Sequence, residues 1–165
     1  RVFGLAPRGH AARPVYEPAG KGDRYFPSDV YHAMALAYGH QQAGEEKWPG
    51  MQQALTLDGR GGILPYPVEN NATNANGERY TGVVVQYEGD GIGDPHGIYR
   101  QLDAVKYQYG CFLESMQKTG IARVVAPASA GTETSDSSIG CQRVARMTGT
   151  PPAWVGSVRW VLVIL

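Results

Sequence analysis

The sequence predicts an α+β domain in which one helix covers a face of a sheet built from short strands. Two segments and the composition carry that expectation. Residues 26–50, FPSDVYHAMALAYGHQQAGEEKWPG, hold one well-marked helix that runs into a Trp-Pro-Gly step. Tyr80 to Tyr87 is an unbroken run centred on Val83, Val84 and Val85, which predicts a strand buried on both faces or placed centrally. The chain carries 22 Gly, 11 Pro and 10 Tyr against 18% charged residues, a balance that favours turn-linked strands over a helical bundle.

At 165 residues the chain is long enough for one domain with a proper core. Fifteen basic and fifteen acidic side chains cancel, so no overall field draws the protein to nucleic acid or membrane, and any anion site is a local patch. The longest apolar run, Trp160 to Leu165, is too short to span a bilayer. The absence of a methionine start and of an apolar leader suggests a mature or trimmed product. Few Lys, many Tyr and Gly, and the glycosylation triplet at Asn71-Ala72-Thr73 lean towards a secreted protein. Cys111 and Cys141 permit one disulfide without demanding it.

In chain order, residues 1–23 read as an extended arm punctuated by Pro7, Pro14 and Pro18. Ser28 is the expected N-cap and Asp29 suits the positive helix end. Val30, Ala33, Met34, Ala37 and Gln41 form one face, and Gly44 is placed as the stop, so the helix is expected from about Asp29 to Ala43. Ala54 to Leu57 suggests a strand closed by Asp58-Gly59. Ile63 to Val68, split by Pro65 and Pro67, suggests an edge or bulged strand. Asn70 to Gly77 is a polar loop and Glu88 to Gly97 a glycine-rich turn. Gly97 to Leu102 starts a strand, and Ala104 to Phe112 is a strand or a short helix. Residues 126–140 form a Ser/Thr/Gly/Ala linker, and Trp154 to Leu165 a final strand.

Residue by residue, the chemistry is thin. His32 and His40 lie eight positions apart on the expected helix, about 12 Å along its axis, too far to share an ion, and Asp94-Pro95-His96 has no partner cluster; no metal or other cofactor is expected. Gly89-Asp90-Gly91-Ile92-Gly93 lacks the following helix of a phosphate loop and reads as a turn. The serines between Ser129 and Ser138 fall in the linker, where nothing rigid would hold a nucleophile. Glu69, Glu78, Glu88 and His96 are available for acid–base work but read as solvated loop residues.

The order of the pieces resembles the small fungal guanyl-specific ribonucleases. A helix capped by Ser28-Asp29-Val30 leads to Trp48-Pro49-Gly50. Then come Pro65-Tyr66-Pro67-Val68, Gly77-Glu78-Arg79-Tyr80-Thr81-Gly82, Val83-Val84-Val85, Gly97-Ile98-Tyr99-Arg100-Gln101 and Tyr109-Gly110-Cys111. The resemblance covers roughly residues 16–111. It implies a microbial ribonuclease-like domain over 24–112, with the helix on a twisted antiparallel sheet, an arm at 1–23 and a C-terminal extension at 113–165. It also implies a degenerate catalytic set. Gly50 stands at a histidine position, Pro65 at the general base, Gly82 or Val83 at the phosphate-binding arginine and Gln101 at the general acid. Neither Pro65 nor Gln101 moves a proton at neutral pH, and each lost role removes on the order of 10²–10⁴ in rate.

This pairing of scaffold with lost chemistry resembles the secreted ribonuclease-like effectors of plant-pathogenic fungi. It implies a non-catalytic virulence effector, delivered to or into host cells, that binds host RNA, a host protein or a plant immune receptor, with no membrane partner. Trp48, Tyr66, Arg79, Tyr99 and Arg100 would form the stacking and cationic surface. The family ties its last-strand cysteine to one near the N-terminus, and none precedes Cys111 here. A Cys111–Cys141 bridge would close the linker instead, adding roughly 3–4 kcal/mol. Two rivals remain: an active secreted ribonuclease using Glu78 or Glu88, His96, and Arg79 or Arg100, and a secreted structural or adhesion protein unrelated to RNA.

Overall fold

The structure, a computed structural model, describes residues 11–89 and 91–127. Residues 1–10, Asp90, most of the Ser/Thr-rich linker, Cys141 and the expected strand at Trp154 to Leu165 lie outside the described residues.

Strand β1 (Val15–Gly20) leads through α1 (Ser28–Tyr38) to β2 (Gln41–Ala43), and α2 (Met51–Leu57) leads on to β3 (Ile63–Leu64). Three short strands follow, β4 (Val68–Glu69), β5 (Ala72–Thr73) and β6 (Arg79–Tyr80), before the long β7 (Gly82–Tyr87). A 3₁₀ turn at Pro95–Gly97, α3 (Ile98–Gln101), α4 (Asp103–Thr119) and β8 (Arg123–Val124) complete the described chain.

The α+β expectation holds at this coarse level, as a small sheet accompanied by four helices among the described residues. The main sheet is not the expected antiparallel one, and antiparallel pairing is found only in the two-stranded β4–β8 and β5–β6 among the described residues. The four-stranded sheet has the order β1-β7-β2-β3, and every pair in it is parallel: Tyr16 stands opposite Val83, Gln42 opposite Val84 and Ala43 opposite Leu64. Nor does a single helix cover it. Ala19 and Val84 pack against Tyr31 and Ala35 of α1 and Met51 and Leu55 of α2. Tyr16, Val83, Val85 and Tyr87 pack against Ile98 of α3 and Val105 and Phe112 of α4. Since neighbouring residues of a strand point to opposite faces, the two clusters lie on opposite sides of the sheet. Parallel strands need such cover, because both of their faces are apolar and their connections are crossovers.

Several elements depart from expectation for local reasons. Helix α1 ends at Tyr38 because Gly39 takes the left-handed conformation (φ 75°) and donates its N–H to Ala35 and Leu36, which frees residues 41–43 for the sheet. Residues 51–57 form a helix, with Met51 and Leu55 one turn apart and fully buried. The strand expected at Gly97 to Leu102 is α3, and α4 takes the helical option left open for Ala104 to Phe112 and runs on to Thr119, across the boundary placed at 112. Residues 15–20 of the supposed arm form β1, with all six residues buried. Pro18 has no N–H to donate, and β1 tolerates it as an edge strand.

A buried polar knot ties the α4 layer to the sheet. The Tyr16 hydroxyl donates to that of Tyr87, which donates in turn to Gln108 Oε1, and Gln108 Nε2 donates to Val125 O at 2.5 Å.

Candidate functional site

The C-terminal ends of β1 and β7 lie side by side, and the chain leaves them in opposite directions. After β1 it enters α1 on one face; after β7 it enters α3 and α4 on the other. In open parallel sheets such a divergence leaves a crevice outside the strand ends, the usual place for a ligand. Here the two loops are pressed together. A Cβ on Gly20 would stand 2.3 Å from Pro95 O, and one on Gly89 would stand 2.9 Å from Lys21 O. A ladder bond from Lys21 N to Tyr87 O (2.9 Å) and an exposed Lys21–Glu88 ion pair (3.0 Å) continue the contact.

Asp23, in the loop after β1, is the centre of the arrangement. Its Oδ1 accepts the backbone N–H groups of Tyr25 (2.8 Å) and Phe26 (3.0 Å). Its Oδ2 accepts the Tyr31 hydroxyl of α1 (2.7 Å) and Nδ1–H of His96 from the turn after β7 (3.0 Å). Burial pushes the Asp23 carboxyl up, but the four donors (Phe26 N–H, Tyr31, His96 and Tyr25 N–H) outweigh it and hold the acid below the usual carboxylate range. Burial first, then the hydrogen bond to Asp23 and its charge, push the Tyr31 phenol upward, so it stays a proton donor.

An ionised Asp23 fixes the histidine. A carboxylate can only accept, so Nδ1 of His96 carries the proton and the lone pair of the neutral ring sits on Nε2. The His96 side chain is 33% exposed while that of Asp23 is sealed. The ring is held by Tyr25 (centroids 5.0 Å apart) and edge-on by Phe26 (4.9 Å), and its backbone N–H bonds Asp94 Oδ1 at 3.0 Å. A buried acid orienting a partly exposed imidazole can accept a proton at Nε2 and return it. An open crevice of about 400 Å³ is lined by Gly22, Arg24, Tyr25, Gly93, Asp94 and Pro95; neither Asp23 nor His96 lines it, and Tyr25, in ring contact with His96, connects the two.

A second acid–histidine pair differs in access. His40 Nδ1 lies 2.8 Å from Glu17 Oε2, but the His40 side chain is 0% exposed and that of Glu17 4%. Among the described residues, Glu17 Oε1 and His40 Nε2 have no hydrogen-bond partner. No substrate reaches this pair.

The residues expected to form one binding surface are dispersed. Trp48 packs on the α1–α2 cluster, with its backbone N–H shared with Lys47 at Gln86 Oε1. Tyr66, in the cis Tyr66–Pro67 step, and Tyr99 of α3 pack on the opposite cluster. Arg79 is on β6, where its guanidinium holds Asn70 O. Arg100 is exposed on α3.

The four degenerate positions are equally scattered. Gly50 (φ 110°) precedes α2, Pro65 is exposed beside the edge strand β3, Gly82 opens β7, and Gln101 ends α3. Gln101 is a staple for the loop after β7: its Nε2 donates to Asp94 O (2.7 Å) and Gly97 O (3.2 Å), and its Oε1 accepts from Gly93 N (3.2 Å). Of the rival acid–base set, Glu78 holds the N–H of Ala12 and the amide of Asn74, Glu88 pairs with Lys21, and His96 alone reaches the site.

Asn71 Nδ2, the atom a glycan would occupy, donates to Gln41 Oε1 (3.1 Å) and Gly82 O (3.0 Å), while its Oδ1 accepts from Gly82 N (2.9 Å). Cys111 is buried on α4, and its expected partner Cys141 lies outside the described residues. Among the described residues no group of three or more His, Cys, Asp or Glu could hold a metal ion, and no helix is long and apolar enough to cross a membrane.

Sequence reading missed Asp23, Arg24, Tyr25 and Tyr31. The available signal was Asp23 placed two and three residues before backbone donors at a helix entrance, the pattern of an Asx turn. Comparison with protein-family models, with curated proteins and with solved structures finds no match in any of the three.

Proposed function

We propose that the protein is an acid–base enzyme acting on a small polar substrate in the crevice at the ends of β1 and β7. His96 Nε2 is the proton carrier and Asp23 its positioning partner. The observation that carries this reading is the shared Asp23 Oδ2, which accepts both Tyr31 and His96 and leaves Nε2 as the free basic atom. In the forward step Nε2 takes a proton from a substrate hydroxyl or an attacking water, and the imidazolium is stabilised by the buried carboxylate. In the return step it gives that proton to the leaving oxygen.

The test is turnover of a panel of carboxylic esters, phosphoesters and single-stranded RNA by wild type and by His96→Ala. The expected result is turnover of one class, reduced on the order of 10²–10⁴-fold in the variant. Equal rates in both proteins would overturn the reading.

A second reading is a secreted, non-catalytic effector that binds host RNA or a host protein. It is supported by Gly50, Pro65, Gly82 and Gln101, none of which exchanges a proton at neutral pH. Absence of turnover across the panel, together with saturable RNA or protein binding, would favour it.

A further inference from the structure

The crevice beside His96 carries three kinds of recognition chemistry. Tyr25 is 71% exposed, yet its backbone N–H is fixed on Asp23 and its ring is set 47° to that of His96. An aromatic ring held in place and left open to water is a stacking surface. Arg24 is exposed and makes no hydrogen bond or ion pair among the described residues. Asp94 commits Oδ1 to the His96 N–H, and its Oδ2 has no partner among the described residues. Gly22 and Gly93 have open space where a side chain would begin, so nothing fills the crevice from the loops themselves.

We infer that the crevice takes a small molecule joining a planar aromatic ring to an anionic group and an N–H donor. The ring stacks on Tyr25, the anion meets Arg24 and the donor bonds Asp94. One Arg and one Asp leave the charged side chains of the lining formally balanced. That balance disfavours polyanions and suits a ligand whose opposite characters are separated along its length. The volume of about 400 Å³ lies in the range of small-molecule sites. Two sources share this chemistry, a nucleoside monophosphate bearing an exocyclic amine and an aromatic α-amino acid. The assignment rests on the crevice being the functional site, but does not require proton transfer at His96.

The experiment titrates wild-type protein separately with adenosine 5′-monophosphate and with phenylalanine, following backbone resonances of residues 22–26 and 91–97 by NMR. Ribose 5-phosphate serves as the ringless control. The expected result is saturable shifts with one of the two ring-bearing probes, weakened at least about tenfold by Arg24→Ala and by Tyr25→Ala. Both substituted side chains are exposed, and circular dichroism checks that the variants fold. No saturation with either probe, equal binding of the ringless control, or affinity unchanged in both variants would overturn the inference. Saturable binding by a wild type that turns nothing over would defeat the acid–base reading and leave the ligand class standing.

Discussion

Asp23 gathers four donors from three parts of the chain, and its removal should be felt in both stability and reactivity. Asp23→Asn keeps the shape but removes the charge and one acceptor oxygen, and should cost about 2–3 kcal/mol in chemical denaturation. The sign of its pH dependence follows from the depressed carboxyl. The stabilisation is fully present above the unfolded-state value, near pH 4, and is lost as pH falls through the lower folded-state value. Wild type should therefore lose this contribution on acidification below about pH 4, while Asp23→Asn should lack that part of the pH response. Matching acid titrations of the two proteins would show the prediction to be mistaken.

At the scale of elements, the loops after β1 and β7 act as one body because Gly20 admits Pro95 O where a side chain would stand. Gly20→Ala should destabilise by roughly 1–3 kcal/mol through overpacking and should displace the His96 resonances, although neither glycine nor alanine bears a functional group. An unshifted His96 spectrum in a destabilised variant would separate the loops from the site. The same scale marks where the sequence was legible. β7 was plain, because Val83, Val84 and Val85 bury on both faces. The single edge strand expected over Ile63 to Val68 is divided: Pro65 and Pro67 separate β3 from β4, which belongs to a different sheet. β2 was hidden: Gln41-Gln42-Ala43 continues the apparent helix face, and only the positive φ of Gly39 cuts it off. Gln42 is tolerated in the sheet because its Nε2 donates to Glu45 O and its Oε1 accepts from Gln52 Nε2, partners that no local pattern announces. β1 was hidden by Pro18 and Glu17, which suit an edge strand and a buried histidine contact, respectively.

For the whole molecule, the turn chemistry and the presence of one central strand could be read from the chain, but strand direction could not. Parallel and antiparallel sheets draw on the same residues, and the choice falls to crossovers whose helices must be recognised first. Once α2 is read as a strand, the helix that carries β2 to β3 disappears, and with it the reason for a parallel sheet. The site was legible only in His96, since Asp23 and His96 stand 73 positions apart and meet through the β1–β7 pairing. That pairing is backed by the Gln108 knot. Gln108→Leu would leave the Tyr87 hydroxyl without its acceptor and Val125 O without its donor, and should cost about 3 kcal/mol. The midpoint of thermal unfolding should fall without change in the secondary-structure signal at low temperature. A variant of unchanged midpoint would show the knot to be energetically neutral.

The order β1-β7-β2-β3 also imposes a timetable on synthesis. β1 emerges from the ribosome first, yet its one neighbour in the four-stranded sheet is β7, whose first residue pairs with Val15 across 67 positions. Until Gly82 to Tyr87 has left the exit tunnel, β1 has no sheet partner and β2 lacks its inner neighbour, so the ladder cannot close from its N-terminal side. The nascent chain would carry the apolar groups of β1 and α1 unsheltered through most of that interval, a state in which a chaperone has its longest opportunity to bind.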